Sequence, residues 1–301
     1  MIIKSGYVTI IGKPNVGKST LMNSLIGSKL SIVTNKPQTT RKKILGILSH
    51  ENYQIIFLDT PGILHPEYML QESMMQFVNR SVADADVLLF IIDVESDKDG
   101  TKLIADTTVN KILKKRKKKI LLLNKIDLSN QLTVEKIISN ISEKNIFDKI
   151  IPISASNGFN LSSIINAIIE FLPEHPKYFP DDQLSDENER FFVSEIIREK
   201  IFEQYRDEIP YSTEVIIEEF KEREKGKNFI KAQIVIERET QKPIILGNKG
   251  DAIKILGKAA RKSVEEFLQR EVYLELFVKV KEKWRTNKIL LKNYGYNPDD
   301  K

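Results

Sequence analysis

Residues 12–20 read Gly12-Lys13-Pro14-Asn15-Val16-Gly17-Lys18-Ser19-Thr20. Paired glycines ahead of Lys-Ser suit the binding of a polyphosphate. The glycines let the backbone curl until successive N–H groups face an anion, and a following helix N-terminus adds positive potential. Lys18 would place a point charge on the β- and γ-phosphates, with Ser19 as a hydroxyl ligand to Mg²⁺. An apolar run at 6–11 enters the loop and a helical pattern through Leu21 and Leu25 leaves it, the context this motif requires.

Three further pieces follow in order. A β-rich run at 55–58 closes on Asp59-Thr60-Pro61-Gly62-Ile63, where Asp59 would hold Mg²⁺ through water and the Gly62 N–H would sense a γ-phosphate. Between the two lies Gln38-Thr39-Thr40-Arg41-Lys42, polar and aperiodic as a switch loop should be. Thr40 is the expected second hydroxyl on Mg²⁺, with Thr39 as the alternative. The short apolar strand at 120–123 then leads into Asn124-Lys125-Ile126-Asp127. The Asp127 carboxylate can accept from guanine N1–H and its amino group, donors that adenine lacks, and such a site discriminates by roughly 10⁴-fold. Lys125 would lay its stem over the base, and the backbone of Ser154-Ala155-Ser156 would meet the guanine O6. Together the pieces predict Mg²⁺·GTP as substrate, with water attacking the γ-phosphate in line and GDP as product.

A second site lies near the other end. Gly247-Asn248-Lys249-Gly250 falls in the order strand, helix, GxxG, helix, strand, which is the core of a KH domain gripping about four nucleotides of single-stranded RNA. The glycines let phosphates approach the main chain, and Lys249 adds charge. Lys254, Lys258, Arg261 and Lys262 follow on the next helix, several on one face. Ile244, Ile245, Leu246, Ile253 and Leu256 are the expected groove lining. The formal charge of +5 conceals strong polarity: residues 173–237 hold 10 Lys/Arg against 17 Asp/Glu, and residues 238–292 hold 14 against 7. A local basic block of this kind suits a nucleic-acid contact.

The elements that must position these sites are legible as well. Strands and helices alternate from residue 3 to 172, predicting an α/β fold whose mostly parallel sheet carries helices on both faces. Strands are expected at 44–48 and 53–58 as an antiparallel hairpin, then at 87–94, 120–123 and 150–153. Helices are expected at 67–83, 102–114, 134–144 and 161–172. Pro173, Pro176 and Pro180 exclude a helix or central strand there. The predicted domains are therefore 1–172, a linker over 173–188, and an α+β KH domain over 189–301. In the last, a helix over 190–205, strands at 214–220, 228–236 and 272–280, and helices over 251–269 and 286–294 are expected. The longest apolar run, 87–92, is too short to span a bilayer. The absence of cysteine excludes disulfides and thiol catalysis and fits a reducing cytosol, and three scattered histidines give no zinc pattern. The chain enters its first strand almost at once, leaving no room for a signal peptide. The basic run at 114–119 reads first as a solvated helix end, and alternatively as a patch for RNA or anionic lipid.

Taken together, GKPNVGKST, QTTRK, DTPGI, NKID, SAS, the ERFF–EIIREKIF segment, LGNKGDAIKILG and LELFVKVKEKW make the chain resemble the bacterial Era family of GTPases from end to end. The resemblance implies a GTPase domain followed by a type II KH domain. It implies binding near the 3′ end of small-subunit ribosomal RNA, a role in small-subunit maturation, and a cytoplasmic location with partial association to the inner membrane face; DNA is not an expected partner. Ile63 occupies the position where Ras-like GTPases carry a water-orienting glutamine, so intrinsic turnover should be slow. Asn15 matches the position that in related GTPases helps to coordinate K⁺ in place of an arginine finger.

Overall fold

The computed structural model describes residues 3–297, so the outermost residues of the two expected domains, 1–2 and 298–301, lie outside it. In the N-terminal unit, strands β1 (Lys4–Ile11), β2 (Ile44–His50), β3 (Tyr53–Asp59), β4 (Val87–Asp93), β5 (Lys118–Asn124) and β6 (Lys149–Pro152) form one sheet in the order β2-β3-β1-β4-β5-β6. All pairings are parallel except the β2–β3 hairpin, which runs from Ile44 opposite Asp59 to His50 opposite Tyr53. β4 shows why the parallel strands read as continuous apolar runs: VLLFIID is buried at every position because helices cover both faces.

The helices are α1 (Lys18–Ile26), α2 (Met69–Asp84), α3 (Thr107–Leu113), α4 (Gln131–Ser142) and α5 (Leu161–Phe171). One core packs Phe90, Ile92, Leu121 and Leu123 of the sheet against Val78 and Val82 of α2, Val109 and Ile112 of α3, and Ile137 and Ile141 of α4. β1 lies centrally, with the chain continuing to β3 on one side and β4 on the other. This topological switch point opens a crevice at the strands' carboxyl ends, where α/β sheets place ligands.

Two expected elements differ. The helix expected over 102–114 begins only at Thr107. Asp97 accepts the N–H groups of Thr101, Lys102 and Leu103, holding them in a turn, and Asp106 caps α3 through Thr108 and Val109 N–H. The stretch expected as a linker is laid against the sheet instead. The Pro173 carbonyl accepts from Ser5 N–H, Gln54 holds Tyr178 and Phe179 through its side chain, and Ile47 N–H donates to Leu184. Prolines forbid a regular strand here, yet their carbonyls still accept, so residues up to Asp186 cluster with the N-terminal unit.

The second unit comprises Ile32–Thr39, Glu67–Ser73 and the chain from Glu187 onward. Its elements are α6 (Glu189–Gln204), α7 (Ile209–Ser212), β7 (Glu214–Lys221), β8 (Asn228–Ile236), α8 (Lys242–Leu246), α9 (Asp251–Leu268), β9 (Val272–Val280) and α10 (Lys288–Asn293). The sheet order is β7-β8-β9, with β7 antiparallel and β9 parallel to β8. Val193, Ile197 and Ile201 of α6 and Leu256, Ala260 and Val264 of α9 pack on Ile230, Ala232 and Ile234. A parallel β8–β9 pair needs a crossover, and α8–α9 supply it with GxxG between them.

Candidate nucleotide site and RNA groove

β1 ends at Ile11 and α1 starts at Lys18, so the loop between them is anchored at both ends. Gly17 sits at φ 99°, and a β-carbon there would fall 2.4 Å from the Asn124 amide nitrogen. Only glycine satisfies both constraints. The Lys18 ammonium rests on the carbonyls of Lys13 (2.9 Å) and Gly12 (3.3 Å). Its burial lowers the pKa from 10.5 to about 8, with the Asp59 charge opposing the shift. Val16 is buried, while Asn15, exposed at the loop's bend, has φ 63°. Thr20 lies half-buried on the first turn of α1.

Three oxygens converge beside Lys18. Ser19 Oγ lies 2.9 Å from Thr40 Oγ1 and donates to Asp59 Oδ2 at 2.7 Å. Asp59 is fully buried, and its Oδ1 has no hydrogen-bond partner. Burial pushes the carboxyl pKa up; the Ser19 hydroxyl and the Lys18 charge oppose this. An orphaned buried carboxylate oxygen beside two hydroxyls is a hard, all-oxygen donor set of the kind that Mg²⁺ takes. Thr39 is directed elsewhere: its hydroxyl lies 2.6 Å from Thr34 Oγ1 and donates to the Lys36 carbonyl at 2.7 Å. Of the two candidate threonines, Thr40 is the one brought to Ser19.

The Asp59–Ile63 turn lies against the phosphate loop. Thr60 Oγ1 donates to the Ile10 carbonyl at 2.9 Å, and Ile63 N–H donates to the Gly12 carbonyl at 3.0 Å. A β-carbon on Gly62 would fall 2.7 Å from Pro14 N, so Pro61-Gly62 can approach the loop only without one. The Ile63 side chain is buried in the core between sheet and helices. It therefore has neither a polar atom nor the exposure to orient a water.

Asn124 ties the base end together. Its amide donates to Val16 O (2.8 Å) and its carbonyl accepts from Ala155 N–H (3.0 Å), bridging the phosphate loop and the Ser154–Ser156 turn. Lys125 adopts φ 65°, and its ammonium reaches Asp93 Oδ2 at 2.7 Å and Asn15 O at 3.1 Å. Asp127 is exposed, its carboxylate open to a base. Ser154 is buried, and Ser24 Oγ fixes the turn by donating to Ala155 O at 2.8 Å. Asp93 and Ser24 were not among the expected residues. Asp93 had a readable signal, a carboxylate ending a buried strand as Asp59 does; Ser24 had none, being one polar residue on an ordinary helix.

The loop preceding Thr40 and the segment after the Asp59–Ile63 turn belong to the second compact unit. Val33 N–H donates to Glu199 Oε1 at 3.0 Å, and the Lys36 ammonium donates to the Phe202 and Tyr205 carbonyls at the end of α6. Tyr68 lies under the Arg285 guanidinium at 4.8 Å, and its hydroxyl reaches Gln38 Oε1 at 3.4 Å. Arg41 is buried and Lys42 half-buried.

At the other site, Gly247 has φ 73° and stands where a β-carbon would meet Asp251 Oδ1 at 2.1 Å. Gly250, at φ 80°, faces open space, and Lys249 between them has φ 50°. A groove of about 440 Å³ runs beside this turn, lined by Ile253, Lys254, Gly257, Lys258, Arg261, Leu274 and Leu276. The three expected cations thus share one wall, whereas Lys262 turns away to Glu266. The expected apolar lining needs correction: Ile245 and Leu256 are fully buried in the core, and β9 supplies Leu274 and Leu276 instead. Ile244 is half exposed outside the groove. Gly257, which lines the groove, was also missed, although a glycine inside a helix is itself a readable irregularity.

Comparison with known proteins agrees with this division. Residues 7–125 match the model of the 50S ribosome-binding GTPase family, and residues 208–285 that of the KH domain. GTPase Era of Clostridium botulinum is 44% identical over 98% of this chain and 99% of its own length. A variant of Aquifex aeolicus Era solved with GDP and AlF4⁻ superposes with a TM-score of 0.91 at 40% identity, covering 98% of this chain and 100% of that one. An Era solved with MgGDPNP and nucleotides 1506–1542 of 16S ribosomal RNA has a TM-score of 0.90 at 40% identity, covering 98% and 99%. With a phosphate loop, an Asn-Lys-Ile-Asp strand end and a KH domain carried on one chain, the protein belongs to the Era family and hydrolyses GTP.

Proposed function

We propose that the chain is a slow GTPase switch that binds the 3′ end of small-subunit ribosomal RNA and acts in small-subunit maturation. The observation that carries the enzymatic half is the convergence of Ser19, Thr40 and the orphaned Asp59 carboxylate beside Lys18. Ser19 and Thr40 would hold Mg²⁺ directly and Asp59 through water; the ion would neutralise charge on the β- and γ-phosphates. Lys18, Thr40 and Asn15 are the residues assigned to catalysis. Water adds to the γ-phosphorus as the bond to the bridging oxygen breaks, and Lys18 with the N–H groups of residues 12–20 stabilises the charge that develops. Lys125 covers the base, Asp127 reads it, and Asn124, Ser154 and Ala155 hold the pocket. Thr60, Pro61, Gly62 and Ile63 close the γ-phosphate side, and Gln38 through Lys42 form the switch.

The RNA half rests on the groove beside Gly247-Asn248-Lys249-Gly250, with Lys254, Lys258 and Arg261 along its wall. The ribosomal RNA bound by the similar Era supports the same ligand here. A cytoplasmic protein is the fitting setting. Among the described residues no helix is long and apolar enough to cross a membrane, so association with its inner face would be peripheral.

The test is GTP turnover measured with and without a single-stranded oligomer of the ribosomal RNA 3′ end, in K⁺ and in Na⁺ at equal ionic strength. Turnover should respond to the RNA. It should also be faster in K⁺, because Asn15 matches the position that in related GTPases helps to coordinate K⁺, and Asn15→Ala should remove the difference. Turnover indifferent to RNA would favour a scaffold that only binds nucleotide. Equal rates in both salts would remove Asn15 from catalysis.

A further inference from the structure

Asn157-Gly158 is the one Asn-Gly pair in the chain, and it directly follows Ser154-Ala155-Ser156. Asparagine is a chemically labile residue, because its side-chain amide can lose ammonia. Glycine after it removes the obstacle: with no β-carbon, its backbone nitrogen can reach the side-chain carbonyl of the residue before it.

The structure leaves this pair open and restrains the asparagines around it. Asn157 and Gly158 are both exposed. Among the described residues, neither the Asn157 side-chain amide nor the Gly158 N–H makes a hydrogen bond. Gly158 has φ 67°, and a β-carbon built on it would find no heavy atom within 4 Å, so a ring formed there meets no neighbour. Asn124, by contrast, is bonded at both ends of its amide, and Asn160 donates to the Pro152 carbonyl at 2.9 Å. Asn23 accepts from the Leu30 and Ser31 N–H groups and donates to the Ser31 carbonyl. None of these three precedes a glycine.

The turn that carries the pair is closed at its base. Phe159 N–H donates to the Ser154 carbonyl at 3.0 Å, Ser154 N–H returns a bond to the Phe159 carbonyl at 3.4 Å, and Asn157 N–H reaches Ser154 Oγ at 3.4 Å. Within it, Ala155 is tied to Asn124 and Ser24. The length of main chain between Ser154 and Phe159 therefore sets where Ala155 and Ser156 lie.

We propose that Asn157 is a site of spontaneous deamidation, and that the product impairs the guanine end of the nucleotide site. The second half rests on the reading above that Ser154 and Ala155 hold the base pocket. The Gly158 nitrogen gives up its proton and adds to Asn157 Cγ; the bond from Cγ to the side-chain nitrogen breaks, and ammonia leaves with that proton. Water then opens the succinimide at either carbonyl. One opening leaves an aspartate. The other routes the main chain through the former side chain, an isoaspartate with an extra backbone carbon between Ser154 and Phe159. Both add a negative charge to the turn, and the isoaspartate also breaks the spacing that pairs its two ends.

The experiment holds the full nucleotide-free chain at physiological temperature and mildly alkaline pH. Samples are followed by peptide mass spectrometry, by methyl transfer from an isoaspartyl methyltransferase, and by calorimetry with GTP. The peptide containing Asn157 should gain the mass of OH over NH₂ and accept methyl groups, ahead of every other asparagine. The rate should rise with pH, because the attacking nitrogen must lose its proton. GTP affinity of the modified protein should fall roughly tenfold, as expected for one lost hydrogen bond. Asn157→Ser removes the reactive amide; it should bind and turn over GTP like fresh wild type and keep that affinity through the incubation. If position 157 stays intact, or reacts no faster than other asparagines, the proposal is overturned whatever GTP binding does. An equal loss of affinity in Asn157→Ser would be general inactivation and overturns the second half. So does full GTP affinity in modified protein. In that last case Asp127→Asn separates the causes: if it still weakens GTP, only the turn's link to the base fails, and if it does not, the base-pocket reading itself fails.

Discussion

The Lys18 amine, fully buried on backbone carbonyls, titrates near 8 before any phosphate arrives. A bound triphosphate favours the ammonium, so its pKa rises in the complex. Below pH 8 both forms carry the proton and affinity should be flat. Above it, free protein must take up a proton to bind, and GTP affinity should fall about tenfold per pH unit. Titration calorimetry in buffers of different ionisation enthalpy would report that uptake; an affinity constant from pH 7 to 9.5 would contradict it. The unfolded chain holds this proton up to 10.5, so Lys18 makes nucleotide-free stability rise with pH between about 8 and 10.5. Asp127 is the opposite kind of residue, exposed and poised only by its position after Asn124. Asp127→Asn should weaken GTP by roughly 10²- to 10⁴-fold, the loss of two hydrogen bonds to a charged acceptor, and improve xanthosine triphosphate. Unchanged GTP affinity would show that Asp127 does not read the base.

At the scale of elements, α9 shows how one helix divides its labour. Leu256, Ala260 and Val264 face the core, while Lys254, Gly257, Lys258 and Arg261 face the groove. A β-carbon at Gly257 would lie 3.6 Å from Leu276 Cδ1, an ordinary contact. Gly257→Ala should therefore stabilise the helix by about 0.5–1 kcal/mol and leave RNA binding intact. Gly257→Leu should fill the groove and weaken RNA at least tenfold with the melting temperature unchanged. Equal RNA affinity for Gly257→Leu would place the bound strand elsewhere. α6 shows the limits of periodicity: Glu195, Arg198 and Glu199 look like a solvated face, yet all are buried, and Arg198 is paired with Glu195. Nothing in a local pattern distinguishes a buried ion pair from a surface one.

Across the whole molecule, the loops on either side of the nucleotide motifs belong to the second compact unit. The Lys36 ammonium closes the carbonyl end of α6, a favourable place for a cation at a helix C-terminus. Thr40 follows four residues later, at the Ser19–Asp59 cluster. Lys36→Ala should leave basal turnover near wild type, since Lys36 touches no group of that cluster, but blunt the response to RNA proposed above. A full RNA response in Lys36→Ala would exclude this segment as the route.

The sequence by itself determined the sheet, the phosphate loop, the strand ending at Asn124 and the GxxG turn. Each depends on residues close in sequence, where glycine geometry and apolar periodicity act locally. It also preferred Thr40 over Thr39 as the hydroxyl to join Ser19. Tertiary structure supplied the contact itself, the Thr40 hydroxyl arriving 2.9 Å from Ser19 Oγ across 21 residues. It likewise laid 173–186 along the sheet, took Ile245 and Leu256 into the core, and brought Leu274 and Leu276 to the groove. Those outcomes rest on contacts between distant segments, whose energies no short window of residues contains.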